Sequence, residues 1–125
     1  MRALEHPALV AESDGDILAA LTYVIEGDAC EVLTLHADQR RSGLGTALLA
    51  EVERLAAAAG CKQLWLVTTN DNVDALRFYQ RRGFRLVAVH AGAVQQSRTR
   101  LKPEIPETGA YGIPLRDELE LAKEI

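Results

Sequence analysis

The chain has 125 residues, of which 48% are hydrophobic, 26% charged and 5% aromatic, and its net charge is −4. That composition predicts one globular domain over residues 1–125, large enough for a core without covalent staples, and excludes disordered, collagenous and coiled-coil chains. No apolar run approaches the roughly 18–20 residues of a membrane span. The opening MRALEHPALVAESDGD has no signal pattern, so a cytoplasmic protein without membrane contact is expected.

Charge is unevenly distributed. Acids outnumber bases seven to one over residues 1–31, and bases outnumber acids eight to five over residues 32–90. The middle suits an anionic ligand and the first part a cation, unless both are simply solvated mixed surface. Few aromatics and no basic stripe argue against nucleic acid. Cys30 and Cys61 lack metal-ligand spacing and read as free thiols, and His6, His36 and His90 stand far apart, so no metal is expected.

In chain order, Leu9–Glu12 is a short apolar stretch and Ser13-Asp14-Gly15-Asp16 a turn. Ile17–Ile25 reads as a strand, Glu26-Gly27-Asp28 as a second turn, and Ala29–His36 as an alternating strand. Together they predict an antiparallel meander. After a polar, glycine-bearing segment, Leu44, Leu48, Val52, Leu55 and Ala59 mark one face of an amphipathic helix, ended by Gly60. Leu64–Thr68 is a continuous apolar run, expected to be a strand buried on both faces. Thr69-Asn70-Asp71-Asn72 offers several N-caps for a helix over Val73–Arg82, which Gly83 stops before a strand at Phe84–Val89. Phe78 and Phe84 read as core aromatics.

The tail is less regular. Ala91–Lys102 fits a weak helix with Val94 and Leu101 on one side. Pro103 and Pro106 break it, and Thr108–Pro114 reads as loop. Leu115–Ile125 alternates like an edge strand but also fits a helical spacing; the strand is preferred. The fold expected is α/β, a mixed and mostly antiparallel central sheet flanked by helices.

Two segments carry chemistry. Arg40-Arg41-Ser42-Gly43-Leu44-Gly45-Thr46 lies between a strand and a helix. Its glycines permit close backbone approach, and the helix start offers N–H groups and a positive dipole end to a phosphate, unless the pair merely starts the helix. It is no dinucleotide fingerprint, because Leu48 occupies the third glycine position, and no Walker loop, because G-K-[ST] is absent. The second segment runs from Asn72 to Phe84, with Asn72 at a helix mouth and Tyr79 two turns on.

The two together resemble the GNAT N-acetyltransferase superfamily. Arg40-x-x-Gly43-x-Gly45 matches its Q/R-x-x-G-x-G/A signature. Asn72, Ala75, Phe78, Tyr79, Gly83 and Phe84 match its N-x-x-A-x-x-F-Y-x-x-x-G-F signature. The resemblance spans roughly residues 9–90 and implies an acyl-CoA acyltransferase fold lacking the usual first strand and first two helices. Ala37 stands where a proline is common before the glycine loop.

The implied activity is transfer of an acetyl group from acetyl-CoA to a primary amine, small molecule or peptide, by direct attack in a ternary complex. The resemblance puts the pyrophosphate on Arg40, Arg41, Ser42, Gly43, Leu44, Gly45 and Thr46. It puts the pantetheine arm beside Leu35, Asn72 and Ala75, and makes Tyr79 a cofactor contact and the proton donor to the leaving thiolate. An N–H near Leu35 would stabilise the oxyanion. Glu31 and His36 are candidate bases for the amine. The other readings are a non-catalytic module that binds CoA or senses acyl-CoA, and a protein that keeps only the fold. A homodimer is suggested by a short acceptor side and a free tail strand.

Overall fold

The computed structural model describes residues 6–38 and 43–125. It contains six strands, β1 (Ala8–Ser13), β2 (Asp16–Glu26), β3 (Ala29–Ala37), β4 (Gln63–Thr69), β5 (Arg85–His90) and β6 (Glu118–Glu124). Among the described residues three α-helices accompany them, α1 (Leu44–Ala58), α2 (Val73–Arg81) and α3 (Ala93–Arg100), with a 3-10 turn at Ala110–Gly112. In hydrogen-bonding order the strands run β1-β2-β3-β4-β6-β5, a mixed sheet. The chain forms two compact units, one up to Trp65 with Glu124–Ile125, the other from Leu66 to Lys123.

The first unit is built on the meander. Asp14 and Gly15, at φ 52° and 83°, form the two-residue turn that joins β1 to β2. Two successive positive φ angles match the right-handed twist of a hairpin, and Asp-Gly is a sequence that tolerates them. β2 pairs antiparallel with β3 from Ala19↔Ala37 to Glu26↔Ala29. The parallel register of β3 with β4 covers Ala29–Glu31 against Gln63–Trp65. α1 packs against β2 and β3. Leu21, Cys30, Val52 and Leu64 are fully enclosed in this unit, each apolar side chain of that size stabilising the fold by about 1.5–3 kcal/mol.

The buried side of α1 is Leu48, Leu49, Val52 and Ala56. The face expected from the sequence shares only Leu48 and Val52 with it. Leu44 and Leu55 are half-buried, and Ala59 lies past the helix end and is exposed. Alanine carries little periodic signal, so the Ala56 side of the stripe was hidden in an Ala-rich stretch. Both thiols are buried and free. Burial, with Cys61 nearby as the smaller cause, pushes the Cys30 thiol up to about 11, so it remains protonated and unreactive at neutral pH.

The second unit buries Leu66, Tyr79, Phe84, Val94 and Leu121. β4 is not buried on both faces: Leu64 and Leu66 are enclosed, whereas Val67 is 36% exposed. β5 and β6 pair antiparallel from Arg85↔Ala122 to His90↔Glu118. The tail is thus a strand, as preferred, but it lies between β4 and β5 instead of at an edge. Leu121, on this strand, is fully buried. The free tail strand that suggested a homodimer therefore does not exist. Leu101, expected to share a buried side with Val94, is 77% exposed and caps the end of α3. Among the described residues, no helix is long and apolar enough to cross a membrane.

Candidate functional site

The glycine segment leads into α1. Arg40, Arg41 and Ser42 lie outside the described residues. Gly43 is the N-cap of α1, in the left-handed region at φ 90°. A Cβ placed there would meet no atom within 4 Å, so the glycine is demanded by backbone conformation and not by crowding. Its carbonyl accepts the Ala47 N–H at 2.9 Å. No side chain caps this helix start and no acidic residue occupies its first turn. Leu44 and Gly45 are half-buried there and Thr46 is exposed. Among the described residues, no acidic side chain in the first turn offsets the positive end of the helix dipole, and the open space over Gly43 fits the approach of a phosphate.

β3 carries Glu31, Leu35 and His36. Strict alternation would put Glu31 and His36 on opposite faces. The register with β2 shifts between Thr22↔Thr34 and Tyr23↔Val32, leaving Leu33 as an extra residue. That bulge brings Glu31, Thr34 and His36 onto one face, opposite buried Cys30 and Val32. The Thr22 and Thr34 hydroxyls meet across the strands at 2.7 Å on that face. Five residues of strand still separate Glu31 from His36 by roughly 15 Å, so the two candidate bases cannot serve one nitrogen. His36 is exposed and lines a cavity of about 270 Å³ with Ile17, Leu18, Ala20, Ala37 and Asp38; Glu31 does not. Leu35 is half-buried opposite Leu21.

α2 carries the second segment. Asn72 caps it, its Oδ1 accepting the Ala75 N–H at 3.2 Å. Substituting such a cap costs about 1 kcal/mol. The Nδ2 of Asn72 makes no hydrogen bond among the described residues, so one donor at the helix mouth is unspent. Ala75 spends its own N–H on the cap and is half-buried.

Tyr79 is 8% exposed. Its ring meets the Phe78 ring edge-on at 5.1 Å and the Phe84 ring at 5.3 Å. Phe84 is core as expected, but Phe78 is half-buried and lies under the Arg82 guanidinium at 3.8 Å. The Tyr79 hydroxyl makes no hydrogen bond among the described residues and is not an enclosed, unsatisfied group. Burial pushes its pKa up to about 12, so the phenol is a proton carrier at every ordinary pH.

A group the sequence reading passed over surrounds the α2 mouth. The Asp71 carboxylate accepts the Thr69 hydroxyl at 2.5 Å and the Ala110 N–H at 2.8 Å. The Tyr111 hydroxyl donates to Asp74 at 2.6 Å. Burial raises the Asp71 pKa, but these bonds and its own N–H outweigh burial and hold the carboxyl below its usual value. From the sequence, Asn70 and Asp71 are only alternative caps for α2.

A family model described as the acetyltransferase (GNAT) family matches residues 2–84. The chain is 48% identical over 118 residues to the uncharacterised protein YdhI of Bacillus subtilis (strain 168), covering 94% of this chain and 72% of that protein. The fold is similar to that of an IAA acetyltransferase from Bacillus cereus ATCC 14579, with a TM-score of 0.79 at 23% identity, over 94% of this chain and 77% of that one. It is also similar to a GNAT family acetyltransferase from Elizabethkingia anophelis crystallised with acetyl-CoA bound, with a TM-score of 0.80 at 20% identity, over 94% and 75% of the two chains.

Proposed function

Since the chain belongs to the acetyltransferase (GNAT) family, we propose that it moves an acetyl group from acetyl-CoA to a primary amine in a ternary complex, residues 1–125 acting as one acetyltransferase domain. The observation that carries this reading is Tyr79, a neutral phenol on a buried ring whose hydroxyl has no hydrogen-bond partner among the described residues. A module that only binds CoA has no use for a proton donor there.

Acetyl-CoA supplies an activated thioester and, on attack by the amine, a thiolate leaving group. The chain's residues divide the remaining work. The amides from Arg41 to Thr46 and the uncapped start of α1 hold the pyrophosphate, with Arg40 adding a donor. The unspent Nδ2 of Asn72 donates to a carbonyl of the pantetheine arm, with small Ala75 leaving room beside it. β3 runs six residues beyond its last parallel pair with β4, and an N–H near Leu35 steadies the negative oxygen that develops during attack. Tyr79 gives its hydroxyl proton to the departing sulfur. The arriving ammonium loses a proton to Glu31 or to His36, the two being too far apart to share it. The cavity beside His36 favours His36 for this step.

The acidic residues in the first part of the chain favour a cationic acceptor. Two free buried thiols suit a reducing, cytoplasmic setting.

Calorimetric titration with acetyl-CoA, CoA and ATP, followed by acetylation assays on an amine panel, tests the reading. Saturable binding of both CoA species with ATP much weaker, and turnover of an amine, is expected. Tyr79→Phe should lower kcat on the order of 100-fold and leave acetyl-CoA affinity unchanged. Because the phenol titrates at about 12, kcat should show no loss attributable to Tyr79 below pH 10. Binding without turnover would leave a CoA-binding module, and absence of binding would leave only the fold.

A further inference from the structure

The family model ends at residue 84, yet a segment well beyond it is bound to the α2 mouth. Residues 105–115 form a closed loop. The Leu115 N–H bonds the Glu107 carbonyl at 2.9 Å, and the Gly109 N–H bonds the Ile113 carbonyl at 2.8 Å. Arg98 of α3 fastens both ends, its guanidinium donating to the carbonyls of Ile105, Pro106 and Leu115 at 2.9, 2.7 and 2.8 Å. The tip of the loop reaches α2. There the Ala110 N–H meets Asp71 and the Tyr111 hydroxyl meets Asp74. At the stem, Asn70 accepts the N–H groups of Arg116 and Asp117, both at 3.0 Å, and donates to the Pro114 carbonyl at 2.8 Å.

Two features show that the tip is held against its own preference. Tyr111 stands at φ 59° and is 70% exposed. A bulky residue in the left-handed region costs free energy, and so little burial cannot offset it. Gly109 lies so close that any Cβ would overlap the Asp71 carboxylate. The contacts fall on Asn70, Asp71 and Asp74, on both sides of Asn72.

We propose that residues 105–115 are a strap on α2, and that Asp71 is a positioning residue through which the strap fixes Asn72 for acetyl-CoA. This rests on the reading that Asn72 binds the pantetheine arm. Asp71 is the junction. One carboxylate oxygen is tied to Thr69 at the end of β4 and the other to the strap. Its carbonyl accepts the Val73 N–H at 2.9 Å, and the Asn72 N–H is tied to the Thr69 carbonyl at 3.1 Å. The backbone on either side of Asn72 is thereby set before a ligand arrives. A donor already ordered costs less entropy on binding than one that must be ordered by the ligand. Tyr79 is anchored separately by Phe78 and Phe84, so the effect belongs to binding more than to proton transfer.

The test is the acetyl-CoA Kd, KM and kcat of wild type, Asp71→Ala and Asp71→Asn. Asp71→Ala should weaken acetyl-CoA roughly tenfold in Kd and KM with a much smaller change in kcat. Asp71→Asn keeps an oxygen for the Ala110 N–H and should recover most of the affinity. Should Asp71→Ala not fold, Arg98→Lys carries the same test without touching α2, since an ammonium cannot gather three carbonyls as a planar fork does. It too should weaken acetyl-CoA several-fold. A folded variant with a lower Tm but wild-type affinity means the strap is only structural and overturns the inference alone. Wild-type protein that fails to bind acetyl-CoA overturns the cofactor reading and this inference with it.

Discussion

The starts of α1 and α2 are opposites. α1 begins on a left-handed glycine, with no side-chain cap and no acidic residue in its first turn. α2 begins on a capping asparagine, with Asp74 in its first turn and Arg81 in its last, and a distant segment is tied across it. A helix start can be stabilised by its own side chains or left for an anion to complete, and the same N–H groups cannot do both. α2 is sealed, so what it offers a ligand is a placed side chain, Asn72, and a buried phenol behind it. Among the described residues α1 has no side-chain cap, so what it offers is its backbone. Each helix start thus offers a ligand a different kind of group, backbone N–H at α1 and a side chain at α2.

The largest effect should come from filling the bare end. Gly43→Asp places a carboxylate where the pyrophosphate is expected, and two like charges about 4 Å apart near a protein surface repel by roughly 4 kcal/mol. Acetyl-CoA affinity should fall at least roughly 100-fold, measured by calorimetry on protein with an unchanged circular dichroism spectrum. Gly43→Ala separates the causes. Its Cβ meets nothing, so it carries only the left-handed strain, roughly 1–2 kcal/mol, and should retain much of the affinity. An aspartate variant that binds as well as wild type would mean that α1 is not the phosphate end.

The sealed end should instead answer in stability. Gly109→Ala drives a methyl group into the Asp71 carboxylate, and forcing atoms into a packed contact costs about 1–3 kcal/mol. A drop of several degrees in Tm is expected, with loss of amide-exchange protection at the α2 mouth. An unchanged Tm would show that the strap adapts and that the contrast between the two helices is overdrawn.

What could be read from sequence follows the same division. The meander, the Asp14-Gly15 turn and the Asn72 cap are specified by residues near one another in the chain, and they stand where expected. The misread features depend on partners far away. The bulge at Leu33, which turns Glu31 and His36 to one face, exists only in register with β2. The tail strand alternates like an edge, and nothing within Leu115–Ile125 says that β4 and β5 flank it on both sides. Asn70 and Asp71 sit in a run of four polar residues, any of which can cap a helix. Their partners are 39 to 47 residues away, and no local spacing announces them.

The smallest expected effect lies in the charge that completes the seal. Asp74→Asn removes the acidic group from the first turn of α2, a contribution of about 0.3–1 kcal/mol. Its pair with Arg77, 3.5 Å apart and exposed on both sides, adds little. The hydrogen bond that Tyr111 donates to Asp74 raises the Tyr111 pKa above the usual phenol value, and the carboxylate charge reinforces it. An amide oxygen can still accept that hydrogen bond but brings no negative charge. Spectrophotometric titration should therefore show one phenol moving down towards its ordinary value in Asp74→Asn, while Tyr79 stays near 12, as burial and not charge holds it there. If no phenol moves, Tyr111 does not reach Asp74 in solution, and the tip of the strap rests on the Ala110 contact with Asp71 alone.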